Sequence, residues 1–362
     1  MRIGILGGGQ LGRMLALAGY PLGMRFRFFD PSPIATAGQV GELISASYED
    51  FDALKRFASG LDVITFEFEN VPAQVAHQLE LLAPVRPGAN ALEVAQDRLS
   101  EKRFFQKLGF DVPPFEPVDT RSGLRAALEQ IGLPAVLKTR REGYDGKGQV
   151  VIRHWSEVDA AWDRLIGPGL ILEGFVPFER ELSIVGVRAL NGQVRTYPLV
   201  ENEHRDGILA RTIAPAPALP PQLQEVADAC ITAAMNQLEY VGVMAIELFQ
   251  VGGKLLINEM APRVHNSGHW TIDGAETSQF ENHLRAVAGL PPGSTEPTGS
   301  SMMLNLIGTV PKRRDLLAID GLHLHLYGKE PRPGRKLGHV TICAPTPSAL
   351  ESRLATFIDR LH

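Results

Sequence analysis

A short apolar strand that runs directly into a triple glycine narrows the choice of fold more than any other feature of this chain. Arg2-Ile3-Gly4-Ile5-Leu6 is apolar enough for a buried strand, Gly7-Gly8-Gly9-Gln10-Leu11-Gly12 follows, and residues 11–18 continue as a helix. Strand, glycine turn and helix in that order open a parallel α/β sheet. Residues 25–29, ending at Asp30-Pro31, and residues 63–66, followed by Glu67, Phe68, Glu69 and Asn70, read as further strands separated by helical stretches. The loop fits G-x-G-x-x-G, in which backbone N–H groups can meet an anion at a helix N-terminus. Asp30 follows at the spacing where a nicotinamide enzyme holds its ribose. Taken alone, the segment is open to three readings: a dinucleotide site, a site for another phosphate ligand, or a tight turn with no ligand.

The 362 residues suggest two or three domains. With 44% hydrophobic and 21% charged residues the chain can bury a core. Its net charge of −5 gives no overall drive toward nucleic acid or an anionic membrane. Cys230 and Cys343 are too few and too far apart for a disulfide scaffold or a structural zinc site. Cys230 falls on the helical stripe Leu223, Val226, Ala227, Cys230, Ile231, Ala234, Leu238, which predicts buried packing. Met1 leads straight into a strand, which predicts no signal peptide, and no apolar run approaches the ~20 residues of a membrane helix. A cytoplasmic protein is expected.

Residues 97–108 read as a helix closed by Gly109, and Val112-Pro113-Pro114 breaks the chain. Short strands and glycine hairpins follow, with helices near 122–131, 156–165 and 222–239. The stretch PPGSTEPTGS at 291–300 reads as a linker. MLNLIG, LHLHLYG and HVTIC then predict a small sheet in the last sixty or so residues.

A second glycine loop lies between strands. Residues 134–140 carry Lys138, the loop runs through Gly143, Tyr144, Asp145, Gly146, Lys147, Gly148 and Gln149, and residues 150–152 are apolar. That makes a hairpin rather than a strand–helix unit, so it is no Walker-type loop. Such a hairpin can cover a nucleotide triphosphate while a lysine supplies charge. Further on, Glu247 sits in an apolar strand, Gly252-Gly253 turns the chain, and Asn258 and Glu259 return. A turn centred on the two glycines sets Glu247 opposite Asn258 and beside Glu259. Carboxylates in apolar strands are costly unless paired or bound to a cation, and two of them with an amide suit magnesium. Arg263, His265, Asn266 and Ser267 come next and read as an anion-binding loop, with Arg263 able to grip a planar oxyanion through two N–H groups. Glu173-Gly174-Phe175-Val176 could read an adenine edge with free backbone groups, and Glu181 could accept ribose hydroxyls.

With these motifs in place, the chain resembles the ATP-grasp superfamily, and within it the 5-(carboxyamino)imidazole ribonucleotide synthases. GGGQLGRM at 7–14, FEFENVP at 66–72, DRLSEK at 97–102, GYDGKGQ at 143–149, EGFVPFERELS at 173–183, INEMAPRVHNSGHWT at 257–271 and YGKEPRPGRKLGH at 327–339 carry the resemblance. It implies an α/β (α+β) protein with a Rossmann-like pre-ATP-grasp domain (1–97), an ATP-grasp domain (98–292) and a small β-rich C-terminal domain (293–362). It implies a ligase that joins 5-aminoimidazole ribonucleotide and bicarbonate at the expense of ATP. Arg98, Lys138 and His204 would contact the phosphates, with 143–149 as a lid. Glu173 through Val176 would take the adenine and Glu181 the ribose. Glu247 and Glu259 would hold magnesium, with Asn258 beside them. Tyr144, Asp145, Arg263 and His265 would surround bicarbonate and the amine, while Gln10, Leu11, Glu69, Lys329, Arg335 and Lys336 would form the ribonucleotide site. A homodimer is implied as well. The competing expectations are another ATP-grasp carboxylating or formylating enzyme, an NAD-dependent oxidoreductase resting on GGGQLG and Asp30, and a non-catalytic nucleotide binder.

Overall fold

The structure is a computed structural model that describes residues 1–143, 148–165, 167 and 169–361. Its first sheet orders the strands Glu42–Ser45, Arg25–Asp30, Arg2–Leu6 and Val63–Phe66 side by side, all parallel. Ile3, Ile5, Leu6, Phe28, Ile64 and Phe66 are fully buried, as strands covered on both faces require. Helix Gln10–Gly19 leaves the first strand through the glycine turn, where Gly7 has φ 98°, a conformation that glycine adopts without strain.

The helix Arg98–Lys107 begins where expected because Asp97 caps it, accepting from Leu99 N (3.0 Å) and Ser100 N (3.3 Å). Gly109, at φ 84°, follows its end. Asp97 also takes the Arg140 fork, at 3.1 and 2.7 Å, and so ties this helix to the chain leading into the second glycine loop.

A second, antiparallel sheet orders Phe115–Val118, Leu170–Gly174, Ala135–Thr139 and Gln149–Ile152. Lys138 pairs with Gln149 across the expected hairpin. Within that hairpin Tyr144, Asp145, Gly146 and Lys147 lie outside the described residues.

The third sheet has nine strands among the described residues. Lys254–Ala261, Gly242–Val251, Arg180–Arg188, Val200–Arg205, Ile208–Ala214, Ser300–Ile307, Lys336–Ala344 and Leu322–Leu326 run in that order, with Val194–Thr196 added beside Arg180–Arg188. Here the structure differs from the expected separate small sheet. The last three strands pair with one another, but Ser300–Ile307 also pairs with Ile208–Ala214, matching Thr212 to Met303. The open edge left by Ile208–Ala214 is what the C-terminal strands cover.

Packing follows the same continuity. One core cluster joins Ile3 and Ile5 of the first sheet, Val185 and Val243 of the third, Trp270, and Met303 and Tyr327 from the C-terminal segment. Helix Pro221–Gln237 packs Leu223, Ala227, Cys230, Ile231 and Ala234 into a second cluster, whereas Val226 is 44% exposed and falls off the stripe. Met303 is fully buried at the seam between the chain's parts. Met303→Ala should therefore cost about 2–5 kcal/mol and lower the urea midpoint as one cooperative transition. A loss well under 1 kcal/mol, or a separate early transition of the C-terminal strands, would contradict this shared core.

Candidate active site

Segments far apart in sequence meet in one cleft of about 530 Å³. The first sheet contributes Gln10 and Leu11 at the start of helix Gln10–Gly19, with Glu67, Phe68 and Glu69 after strand Val63–Phe66. The middle of the chain contributes Arg98, Lys138, Gly143, Gln149, Glu181 and His204. Glu247, Asn258, Glu259, Arg263, His265 and Asn266 line the same cleft, as do Lys329 and Lys336 from the C-terminal segment.

The acidic hairpin departs from the expected register by one residue. Up to Leu248 the pairing runs as the glycine turn dictates, with Leu248 opposite Ile257; beyond it Glu247 faces Glu259 rather than Asn258. A β-bulge inserts Asn258 as the extra residue, which brings the two carboxylates directly across from each other. The bulge is held from behind. On helix Arg98–Lys107, Glu101 accepts from Met260 N (2.5 Å), and Lys102 donates to Ile257 O (3.2 Å) and Asn258 O (2.5 Å). Arg98, one turn earlier, pairs with Glu259 at 2.8 Å. Neither Glu101 nor Lys102 was singled out from sequence, although Leu99, Lys102 and Phe105 show the signal: a lysine at a core position of a helix.

Charge is sorted sharply here. Burial and the facing Glu259 push the Glu247 carboxyl up to about 7. Burial alone would raise Glu259 too, but Arg98 draws it down to about 2. What such a pair can do chemically is share a cation. Among the described residues no three His, Cys, Asp or Glu side chains form a metal-holding group, so a metal would draw its other ligands from elsewhere. Magnesium commonly binds that way, through one or two carboxylates plus phosphates and water.

Other expected residues have partners that redefine their parts. The Arg263 fork is occupied by Glu69, through Nε to one oxygen and Nη2 to the other at 2.8 Å, so its planar grip is closed on the chain's own carboxylate. Burial would raise Glu69, yet Arg263 holds it below the usual carboxylate range. His265 donates to or accepts from Ser267 Oγ at 2.9 Å and stands 3.5 Å from Glu247. Burial, reinforced by Arg263, pushes its imidazole down to about 3, so it is neutral near pH 7. His204 and Glu181 hydrogen-bond to each other at 2.7 Å; burial opposes the charge on His204, but Glu181 and Glu247 lift it above the ordinary range.

Glu173 is withdrawn from the cleft. It is 2% exposed, and one carboxylate oxygen takes Lys138 at 2.9 Å and Lys102 at 3.6 Å while the other has no hydrogen-bond partner. Its side chain is thus a buried counterion, and residues 174–176 do not line the cleft either: Gly174 N and Phe175 N donate to Pro114 O (2.8 Å) and Pro134 O (3.1 Å). Gly148 also lies off the cleft lining. Lys329 donates to Gln10 Oε1, and burial together with nearby Arg335 pushes it down to about 8. Arg335 itself does not line the cleft; its side chain donates to Glu330 O at 3.2 Å. Tyr144 and Asp145 are outside the described residues.

The first glycine loop resolves against a dinucleotide. Gly9 N and Gly12 N donate to the two oxygens of Glu67, at 2.7 and 2.9 Å, and Gly8 N donates to Asp30 at 2.7 Å. Asp30 also accepts from Ser32 N, so it is folded into the turn instead of facing a ribose.

Comparison with known proteins agrees with this geometry. The chain matches the ribonucleotide synthetase preATP-grasp domain over residues 1–96, the ATP-grasp domain over 103–280 and the phosphoribosylaminoimidazole carboxylase C-terminal domain over 301–353. It is 52% identical over 355 residues to the N5-carboxyaminoimidazole ribonucleotide synthase of Pseudomonas aeruginosa, covering 98% of each chain. The chain belongs to the N5-carboxyaminoimidazole ribonucleotide synthase family. Its fold is accordingly an ATP-grasp fold with a pre-ATP-grasp N-terminal part. The crystal structure of the N5-carboxyaminoimidazole ribonucleotide synthetase from Thermus thermophilus superposes with a TM-score of 0.95 at 60% identity, over 99% of this chain and 98% of that one. The Aspergillus clavatus member of the family, solved with ADP and 5-aminoimidazole ribonucleotide, superposes at 0.92 with 30% identity, over 99% and 98%.

The opposite shifts of two histidines in one cleft can be measured directly. In nitrogen-detected NMR of the ligand-free protein, His265 should stay neutral well below pH 5, while His204 should gain its proton above the usual ~6.5. His204 then stabilises the fold below its unfolded value and loses that contribution as pH rises through its folded value; His265 instead imposes a cost once pH falls below ~6.5. The reverse order of titration would contradict the assigned surroundings.

Proposed function

We propose that this chain carboxylates 5-aminoimidazole ribonucleotide with bicarbonate and ATP, giving 5-(carboxyamino)imidazole ribonucleotide, ADP and phosphate, in purine biosynthesis. The observation that carries the reading is the meeting, in a single cleft, of Arg98, Lys138 and the Glu247–Glu259 pair with Gln10, Lys329 and Lys336. One group suits a triphosphate and the other a sugar phosphate.

Bicarbonate is a poor electrophile, so the carbon must first be activated. A bicarbonate oxygen attacks the terminal phosphorus, the bond to ADP breaks, and carboxyphosphate forms. The ribonucleotide amine then attacks the carboxyl carbon, phosphate departs, directly or after release of carbon dioxide in place, and the amine loses a proton. Arg98 and Lys138 offset charge on the phosphates, and His204, which Glu181 and Glu247 favour in its charged form, stands beside them. Magnesium, which Glu247 and Glu259 are suited to hold, would supply further neutralisation and orientation of the phosphates. Arg263, aligned by Glu69, presents fixed positive charge toward the carboxyl group, and neutral His265 adds none. Water must be excluded because carboxyphosphate hydrolyses. The lid role of 143–149 and the parts of Tyr144 and Asp145 rest on the resemblance, as do a homodimeric assembly and a cytoplasmic location. No helix among the described residues is long and apolar enough to cross a membrane.

The test is ADP release by the purified protein, which should require both bicarbonate and 5-aminoimidazole ribonucleotide at full rate; ADP release indifferent to the ribonucleotide would overturn the reading. Glu259→Gln removes one carboxylate charge and leaves Arg98 unpaired. Its turnover should fall by about 100-fold or more and its magnesium requirement should rise, with the melting temperature little changed. Wild-type ADP release by this variant at low magnesium would remove the pair from the metal's ligands. Lys336→Ala discards a cleft-lining charge worth roughly 1.5–3 kcal/mol to a bound phosphate. The KM for the ribonucleotide should rise about 10- to 100-fold with that for ATP unchanged. A weakened ATP site with an intact ribonucleotide site would reverse the assignment.

A further inference from the structure

The glycine loop poses a question that the reaction does not answer. Its donors point inward, onto Glu67. That residue is 7% exposed, and its two oxygens accept separately from Gly9 N and Gly12 N. The fit is close on two sides. A Cβ at Gly7 would stand 2.6 Å from Glu67 Cγ and one at Gly9 would stand 2.8 Å from Oε1. These two glycines are therefore required by the chain's own carboxylate. Between the two donors sit Gln10 and Leu11, whose side of the helix start faces the cleft, and Gln10 is already bonded to Lys329. Burial pushes the Glu67 carboxyl above its ordinary range, while the N–H groups of Gly12 and Gly9 and the charge of Arg263 pull it back against the opposing charge of Asp30.

We propose that Glu67 is a positioning residue for the ribonucleotide: it fills the anion nest of the glycine loop from within and so fixes Gln10 and Leu11 against the substrate, while excluding a foreign phosphate from the nest. This rests on the functional reading above. The substrate's phosphate then depends on cationic side chains, not on the loop's N–H groups. The glycine pattern persists without its customary ligand because an internal carboxylate takes the ligand's place.

Glu67→Ala should empty the nest. The KM for 5-aminoimidazole ribonucleotide should rise by about 10-fold or more as the loop loses the two acceptors that hold it, with the KM for ATP within about two-fold. Added acetate, a free carboxylate of the right size, should restore much of the loss, whereas acetamide should not. A purely structural role would not give that rescue. Should Glu67→Ala fail to fold, Glu67→Gln keeps the volume but offers one acceptor where two are needed, and its ribonucleotide KM should rise by about 3- to 10-fold. An unchanged ribonucleotide KM in a folded variant, or equal loss toward both substrates with no response to acetate, would overturn the proposal. Calorimetry separates it from the functional reading. Wild-type protein that binds no 5-aminoimidazole ribonucleotide defeats that reading, while variant and wild type binding it equally defeats only the role of Glu67.

Discussion

The site depends on how one lysine is buried. Lys102 is fully enclosed, and its ammonium is shared between the carbonyls of Ile257 and Asn258, with Glu173 close by. Burial pushes that lysine's pKa down, and Glu173 pulls it back toward the charged form. In return Lys102 and Lys138 overcome the burial of Glu173 and hold it down to about 2. Taking one partner from such a cluster typically costs about 3–5 kcal/mol, because the others are left charged and dry. The cluster also has a geometric product. It satisfies the backbone groups that the bulge at Asn258 leaves outside the ladder, so the bulge can persist and Glu259 can face Glu247.

Much of this was legible in the sequence. Strand–glycine–helix order gave the parallel sheet, the run from residue 97 to Gly109 marked a helix that the structure starts one residue later behind the Asp97 cap, and Gly252-Gly253 set the hairpin that pairs the acidic strands. What escaped has one physical cause: long-range polar satisfaction leaves no periodic trace. The bulge cannot be seen without knowing that Glu101 and Lys102 approach the strand from another element. Gly9 and Gly12 look alike whether a phosphate or Glu67 receives their N–H groups. Arg263 looks ready for an oxyanion until Glu69, nearly two hundred residues away in sequence, is found in its fork. The strands after residue 300 were recognisable, but the free edge of Ile208–Ala214 that they extend was not, because a strand's neighbours are not written in its own alternation.

Both halves of the cleft share a design in which internal ions hold functional ones in place. Arg98 and Lys138 are set by Glu259 and Glu173, Arg263 by Glu69, and Gln10 by Lys329 and the loop closed on Glu67. Such pairing fixes side chains before substrates arrive, so less ordering remains to be done at the moment of reaction. The first sheet, strand Gly242–Val251 and the C-terminal segment share one core cluster, whereas the strand that carries Lys138 packs in another.

The central claim is that these two halves act on a shared bicarbonate. It is tested most directly with heavy-oxygen-labelled bicarbonate, mixed freshly with ATP, magnesium, 5-aminoimidazole ribonucleotide and the protein, followed by mass analysis of the phosphate released. Attack of a bicarbonate oxygen on the terminal phosphorus predicts that each phosphate carries one labelled oxygen, and that the carboxylated ribonucleotide accumulates in equal amount. Phosphate that carries no labelled oxygen, its fourth oxygen having come from solvent, would mean that water, not bicarbonate, meets the nucleotide in this cleft, and would contradict the account.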